Sequence, residues 1–228
     1  MAKEFLKKLY TKEEANFEKL EDLDVGGKIS KDSKNILNQE FTEEEIIEAI
    51  KGTANRSPGP SGIIITLFKK FPKYFAKILK TIANFALKHG KIDEFLLKGH
   101  ISLIPKKEDS KKVNEMRPIS LLEIPRKIIT KAMTNRLKKI LIKESIISEN
   151  QFCHPGRLIH ENVLTLKTIV DFSIERKKEL HGIFLDFEKA FDRVSHEYLI
   201  EILKKRGFGE KFINIIGAFL KGKSKSQI

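Results

Sequence analysis

The sequence has 228 residues, 40% of them hydrophobic, which is enough for one large domain or two small ones with a true core. Its net charge of +13 favours a polyanionic partner such as nucleic acid, although lysines that merely cover exposed helix faces give the same charge, and charge alone leaves these two interpretations even. The single cysteine, Cys153, excludes a disulfide framework and a cysteine-based zinc site. We therefore expect an intracellular protein, with nucleus or cytoplasm undecided. We also expect neither a signal peptide nor a membrane span.

The first 90 residues predict helices. Residues 1–40 are charged and weakly periodic, which predicts one or two short helices. Thr42 with Glu45 three residues later forms a capping box, and this pair predicts the start of another helix. That helix must stop before the run SPGPSG at residues 57–62, which no helix could contain. Residues 67–89 have apolar side chains spaced by three and four, which predicts one long helix.

A β-hairpin is predicted next. Residues 100–104 and 119–122 are short strand candidates, and the stretch between them is basic and turn-like. The helix predicted at residues 126–143 has an apolar face and a basic face, and the basic face includes Lys127 and Arg136.

The rest of the chain predicts a helix at 161–178, a strand at 182–187 and two final helices. Ser195 is the expected N-cap of the first of these, and Gly207 is expected to end it. Its expected inward residues are Tyr198, Leu199, Ile202 and Leu203, and the last helix is marked by Phe212, Ile215, Ile216 and Phe219.

Asp186 is the candidate for chemistry. The apolar run Ile183-Phe184-Leu185 places its carboxylate at the end of a strand that we expect to be buried, where a charge is costly unless it is solvated, paired or bound to a cation. Nucleotidyl transfer uses such carboxylates to hold two magnesium ions. Asp186 suits this role, with the carbonyl of Phe187 as a second candidate ligand, whereas an aspartate that only caps a turn is the plainer interpretation of the Leu-Asp-Phe tripeptide.

The longer run FLDFEKAFDRV at residues 184–194 resembles the first catalytic palm motif of LINE-type reverse transcriptases. The resemblance implies that Asp186 binds both metal ions and that Phe191 lies under the sugar and rejects a ribose 2′-hydroxyl. Asp192 and Arg193 also match the motif, and their expected role is to hold the turn by hydrogen bonds.

Other motifs occur in the family's order. SPGPSG resembles the family's SPGPDG loop, with Ser61 in place of the aspartate. LIPK at residues 103–106 and RPISL at 117–121 resemble the paired finger motifs, which implies that Lys106 and Arg117 grip the incoming triphosphate.

The resemblance extends to template contacts. Lys127 and Arg136 match basic positions of the family's next helix, which we interpret as a surface for template phosphates, with a solvated face as the alternative. Arg157 matches a Gln…Pro-Gly-Arg element whose spacing here is one residue short, and it is the third candidate contact to nucleic acid.

The expected fold is α+β, with a helical N-terminal extension at residues 1–55, helix-rich fingers at 56–180 and the first strand and helices of a polymerase palm at 181–228. The family's Asp-Asp motif does not occur in the chain, so we expect a truncated enzyme that is inactive alone. The implied parent reaction uses Mg²⁺ to add deoxynucleotides to a DNA primer on an RNA template. No oligomeric state is predicted.

Three alternatives stay open at this point. The chain could be a non-catalytic RNA-binding remnant, an inert pseudogene product that folds poorly, or a fragment related to group II intron maturases, which share the finger and palm logic. The residues of the SPGP and FEKAFD segments favour the LINE type over the maturases.

Overall fold

The structure is a computed structural model that describes residue 4 and residues 25–108, 112–146, 158–187, 190–191 and 194–220. In these ranges the chain forms helices and one hairpin. The elements are α1 (Lys31–Asn38), α2 (Glu43–Gly52), α3 (Ile65–Lys70), α4 (Pro72–His89), α5 (Glu94–Leu97), β1 (Gly99–Pro105), a short 3₁₀ helix (Val113–Glu115), β2 (Met116–Leu122), α6 (Ile124–Lys143), α7 (Ile159–Glu175), α8 (His196–Lys205) and α9 (Glu210–Leu220).

The start of α2 confirms the predicted capping box. Thr42 Oγ1 accepts from Glu45 N at 3.3 Å, and Glu45 Oε2 accepts from Thr42 N at 2.9 Å. Two of the backbone donors that every helix start leaves unpaired are thereby satisfied.

The helix predicted at residues 67–89 is instead two helices, α3 and α4. The break falls at Phe71, which has φ −125° and ψ 55°. Pro72 causes it, because proline has no amide hydrogen and disfavours the helical conformation in the residue before it.

The predicted hairpin is confirmed. β1 and β2 pair antiparallel from Gly99↔Leu122 to Pro105↔Met116. It is the one sheet in the part of the chain that the structure describes.

The core lies between α2, α4, α6 and α9. Helix α2 packs against α4 and α6, and α9 packs against α4. The fully buried side chains at these contacts include Ile46, Ile50, Leu87, Ile128 and Ile215. Helices and a hairpin in one structure confirm the predicted α+β class.

The two ends of the core are joined through α1. Asn38, the last residue of α1, accepts a hydrogen bond on Oδ1 from Phe212 N in α9 at 3.2 Å, across 174 residues of sequence. Phe212 itself is buried. The first helix and the last helix of the core are therefore in direct contact.

The start and end of α8 follow the prediction, and its inward face only in part. Ser195 Oγ accepts from Tyr198 N, and Gly207 ends the helix with φ +80°. Leu203 packs on the core as expected. Tyr198 and Leu199 do not, since each is 37% exposed.

The strand predicted at residues 182–187 is wrong. Residues 181–187 are irregular, and Ile183 and Phe184 are 86% and 85% exposed. A buried strand needs a neighbouring strand and a covering layer, and no described strand lies beside this segment. Helix α7, which precedes it, has no buried residue either.

Candidate functional site

Lys106 and Arg117 lie on one face of the hairpin. Arg117 stands opposite Ile104 across the two strands, and Lys106 N donates to Glu115 O at 2.9 Å, which extends the ladder by one step. Opposite residues share a face and successive residues alternate, so Lys106 joins the face of Ile104 and Arg117. Both basic residues are exposed. This face therefore presents a guanidinium fork and an ammonium to solvent, a combination suited to phosphate oxygens.

The SPGPSG loop is attached to the junction between β2 and α6. Glu123, the N-cap residue of α6, has 0% exposure. Its carboxylate accepts from Ser61 N at 2.9 Å and from Ser61 Oγ at 2.6 Å. The buried charge is thus satisfied by the loop, as a charge in the interior requires. We call these two bonds the Glu123–Ser61 clamp.

Sequence reasoning missed Glu123, although a signal was present. It is the one charged residue in the apolar run SLLEIP, and a carboxylate in such a run must find donors if it is buried. What the sequence could not supply was the donor, because Ser61 lies 62 residues earlier.

A close backbone approach tightens the clamp. A Cβ at Gly59 would lie 2.6 Å from Glu123 N and 2.7 Å from the carbonyl carbon of Leu122. Gly62 N donates to Gly59 O at 3.0 Å to close the turn, and Gly62 has φ +74°. Glycine is therefore required at 59 for space and at 62 for backbone conformation.

Lys127 points at the first residue of the same loop. Its Nζ donates to Ser57 O at 3.0 Å. Burial lowers the pKa of Lys127, the charge of Arg56 lowers it further, and Glu123 opposes these effects. Lys127 and Arg56, the residue before Ser57, therefore both lie beside the loop.

Arg136 does not lie on the exposed face of α6, which corrects the interpretation of this residue as a template contact. It is 7% exposed, and its guanidinium bonds both Glu45 carboxylate oxygens, at 2.5 and 2.6 Å. It also donates to the carbonyls of Gln39 and Glu40 and stacks on Phe41, with Cζ 4.0 Å from the ring centroid. Each of its three nitrogen atoms therefore donates at least one hydrogen bond inside the protein.

Asp186, Phe187 and Phe191 are all exposed, Phe187 by 76% and Phe191 by 95%. The structure does not bring Asp186 together with Lys106 and Arg117 through any contact that it records. Arg157, Asp192 and Arg193 lie outside the described residues.

The two-metal arrangement does not fit the residues that are described. Among them, no group of three or more His, Cys, Asp or Glu side chains is placed to hold a metal ion. Asp186 offers one carboxylate, and a site for two magnesium ions needs more acidic ligands.

No helix in the described ranges is both long enough and apolar enough to cross a membrane.

The chain matches the model of a known protein family. The family model described as reverse transcriptase (RNA-dependent DNA polymerase) matches residues 104–228, a region that includes the hairpin cations and the FLDFEKAFDRV segment.

Individual relatives agree with it. The transposon TX1 uncharacterized 149 kDa protein of Xenopus laevis is 33% identical over 189 residues, 82% of this chain and 14% of that protein. The probable RNA-directed DNA polymerase from transposon BS of Drosophila melanogaster is 31% identical over 185 residues, 78% of this chain and 20% of the relative. The RNA-directed DNA polymerase from mobile element jockey of the same fly is 29% identical over 184 residues, again 78% and 20%. The chain thus spans a fifth or less of the length of each.

Proposed function

Since the chain belongs to the reverse transcriptase family, of the kind found in LINE-type retrotransposons, we propose that it supplies the fingers hairpin and the first palm motif of an RNA-directed DNA polymerase. The proposed substrates are an RNA template, a DNA primer and deoxynucleoside triphosphates. The observation that carries the proposal is the exposed hairpin face with Lys106 and Arg117, inside the region that the family model matches.

The proposed roles rest on the exposure of the described residues and on the resemblance of their motifs to the family. Lys106 and Arg117 bind the triphosphate, because an ammonium and a guanidinium fork on one exposed face suit its oxygens. Phe191 is proposed to contact the sugar, and Asp186 with the carbonyl of Phe187 to contribute metal ligands. Lys127, whose ammonium is fixed at Ser57 O, and Arg157 are proposed to contact template phosphates.

We also propose that the chain alone does not polymerise. Its described residues supply no cluster of three metal ligands, and the sequence has no Asp-Asp pair. The reaction needs a cation to stabilise the charge on the triphosphate in the transition state.

Primer extension on an RNA template tests this with the purified chain. The expected result with Mg²⁺ is no incorporation of deoxynucleotides. Incorporation that Asp186→Ala abolishes and Asp171→Ala preserves would overturn the proposed inactivity. Asp171 is a matched control, because it is an exposed aspartate on α7.

A chimera tests the polymerase function itself. In it, this chain replaces the matched segment of the jockey polymerase. We expect Mg²⁺-dependent extension of an RNA-templated primer, loss of extension in Asp186→Ala, and retained extension in Asp171→Ala. A chimera that binds template and primer without extending, in every variant, would reject the polymerase function.

A second candidate is a non-catalytic RNA-binding protein. It is favoured by the net charge of +13 and by the lack, in the described ranges, of a group of three or more His, Cys, Asp or Glu side chains placed to hold a metal ion. It predicts RNA binding that weakens steeply with salt, and no extension even in the chimera. The chimera therefore separates the two candidates.

A further inference from the structure

We propose that Arg56 and Lys127 together bind one phosphate of an RNA backbone, and that the Glu123–Ser61 clamp positions this pair. The inference rests on the proposed function for the nature of the ligand. It adds Arg56 as a binding residue and Glu123 as a positioning residue.

The clamp makes the loop at residues 57–62 a fixed support. Two hydrogen bonds join Ser61 to the buried Glu123 carboxylate, and Gly59 lies against the backbone of residues 122–123. If the loop moved, the Glu123 carboxylate would lose its two donors or become exposed, and a buried carboxylate without donors is costly in free energy. Ser57, at the start of the loop, is therefore fixed relative to α6.

This support orients the ammonium of Lys127. Ser57 O uses one of its three donors at 3.0 Å, and within the described part of the chain no hydrogen bond is recorded for the other two. Arg56 directly precedes Ser57 in the chain and is exposed. Because Lys127 Nζ bonds the carbonyl of the next residue, Ser57, the backbone of Arg56 lies beside this ammonium.

The surroundings are also basic. Lys131, one turn after Lys127 on α6, has its Cε 3.6 Å from the position of a Cβ on Gly52. Lys69 Nζ donates to Asn55 Oδ1 at 3.0 Å. Among the described residues, Glu123 is the carboxylate whose charge acts on Lys127, and it is turned inward to Ser61.

A phosphodiester fits this arrangement better than a small acidic side chain does. The guanidinium offers a fork and the ammonium a point charge, so one phosphate can be held by both. Binding would also remove the repulsion between the two cations.

RNA affinity as a function of salt tests the pair. Arg56→Ala and Lys127→Ala are each expected to weaken binding of a single-stranded RNA about tenfold and to lower the salt slope by about 1. Because both cations act on one phosphate, the double variant should lose little more than either single variant. Losses that multiply in the double variant, or an Arg56→Ala variant with unchanged affinity, would overturn the proposal.

Lys34→Ala is the matched control. Lys34 is exposed on α1, and its neighbour Ser33 bonds Glu144 at the far end of α6. Lys127 and Glu144 are 17 residues apart in the numbering of the chain, about 25 Å along a helix. The control removes the same charge and should keep the affinity within about twofold.

The positioning role needs a second readout. Ser61→Asp places a carboxylate against Glu123 and should open the clamp, whereas Ser61→Asn has the same shape and can still donate. In the Ser61→Asp background, Arg56→Ala should cause no further loss of affinity, and in Ser61→Asn it should cause its full loss. Equal losses in the two backgrounds would refute the positioning role.

The two proposals fail in different ways. Wild-type RNA binding that Arg56→Ala and Lys127→Ala leave unchanged would reject this site and the proposed template contact of Lys127, but not the polymerase function. An absence of salt-dependent RNA binding by the wild-type chain would reject this site, whereas extension by the chimera would still support the polymerase function.

Discussion

At the scale of single residues, Arg136 shows the largest difference between prediction and structure, since it was predicted on a basic surface and is buried. Its side chain fixes residues 39–41 by bonding two of their carbonyls and stacking on Phe41. Asn84 holds the same segment from α4, since it accepts from Phe41 N and donates to Phe41 O. The segment that leads into α2 is thus held from two helices.

Removal of the Arg136 guanidinium should destabilise the fold. Arg136→Ala leaves Glu45 and two carbonyls without their donor, and we expect it to lower the free energy of unfolding by about 3 kcal/mol. Urea titration followed by circular dichroism measures this. Arg176→Ala, which removes an exposed arginine from the end of α7, should change it by less than about 0.5 kcal/mol. Equal effects of the two substitutions would contradict the buried role.

The same ion pair predicts a pH dependence. Burial raises the pKa of Glu45, but hydrogen bonds from Arg136 and Thr42 and the Arg136 charge outweigh it, so the pKa lies below 4.5. The carboxylate therefore stabilises the fold above pH 4.5, and this contribution is lost as the pH falls through the folded pKa.

Acid titration of stability checks the sign. Glu45→Gln should be less stable than wild type at pH 7, and the two should converge below pH 4.5. Glu48→Gln, on the exposed side of α2, should follow the wild-type profile. A Glu45→Gln variant that kept the full acid-dependent loss would contradict this assignment.

The sequence contains a signal for the burial of Arg136 that the basic-face interpretation did not use. Arg136 comes four residues after Ala132 and four before Ile140, and both of these are buried. Its position therefore belongs to the apolar stripe of α6. The charge alone suggested an exposed residue, and the cost of its burial is offset by distant partners, Glu45 and the carbonyls of Gln39 and Glu40.

At the scale of elements, structure set by neighbouring residues was mostly predicted, apart from the break at Pro72, and structure set by distant residues was not. The capping box at Thr42 and the hairpin depend on residues near each other in sequence, and both formed as expected. The strand at 182–187 depends on neighbours that the local sequence does not specify, and it did not form. The clamp joins residues 61 and 123, so no local pattern could reveal it.

The clamp gives a sharp test at this scale. Gly59→Ala inserts a methyl group 2.6 Å from Glu123 N, and backbone there cannot yield without disturbing α6. We expect a loss of about 2 kcal/mol in the free energy of unfolding. Gly27→Ala is the control, because a Cβ at Gly27 meets nothing within 4 Å. Similar stability of both variants in urea would show that the loop is not held by this approach.

At the scale of the whole molecule, apolar exposure is uneven. The core is well buried, whereas α7 and the segment after it expose their apolar side chains. Val163, Leu164 and Phe172 are 61%, 61% and 50% exposed. A continuous apolar stretch of this kind is unusual on a solvent-exposed surface. It includes residues 182–187, which the sequence predicted to be a buried strand.

Two phenylalanine substitutions compare these regions. Phe184→Ser changes a side chain that is 85% exposed and should alter the free energy of unfolding by less than about 0.5 kcal/mol. Phe212→Ser changes one that is 1% exposed and should cost at least about 3 kcal/mol. Matching losses in a urea titration would mean that residue 184 is buried in solution.

The contact between Asn38 and Phe212 has a consequence for how the chain is made. The two residues are 174 positions apart, and at about 5–20 residues per second the ribosome needs roughly 9–35 s to synthesise the partner of Asn38. During that interval the nascent chain cannot complete its core. We therefore expect the early helices to depend on chaperones in the cell, and refolding of the finished chain to be slower than its helix content alone would suggest.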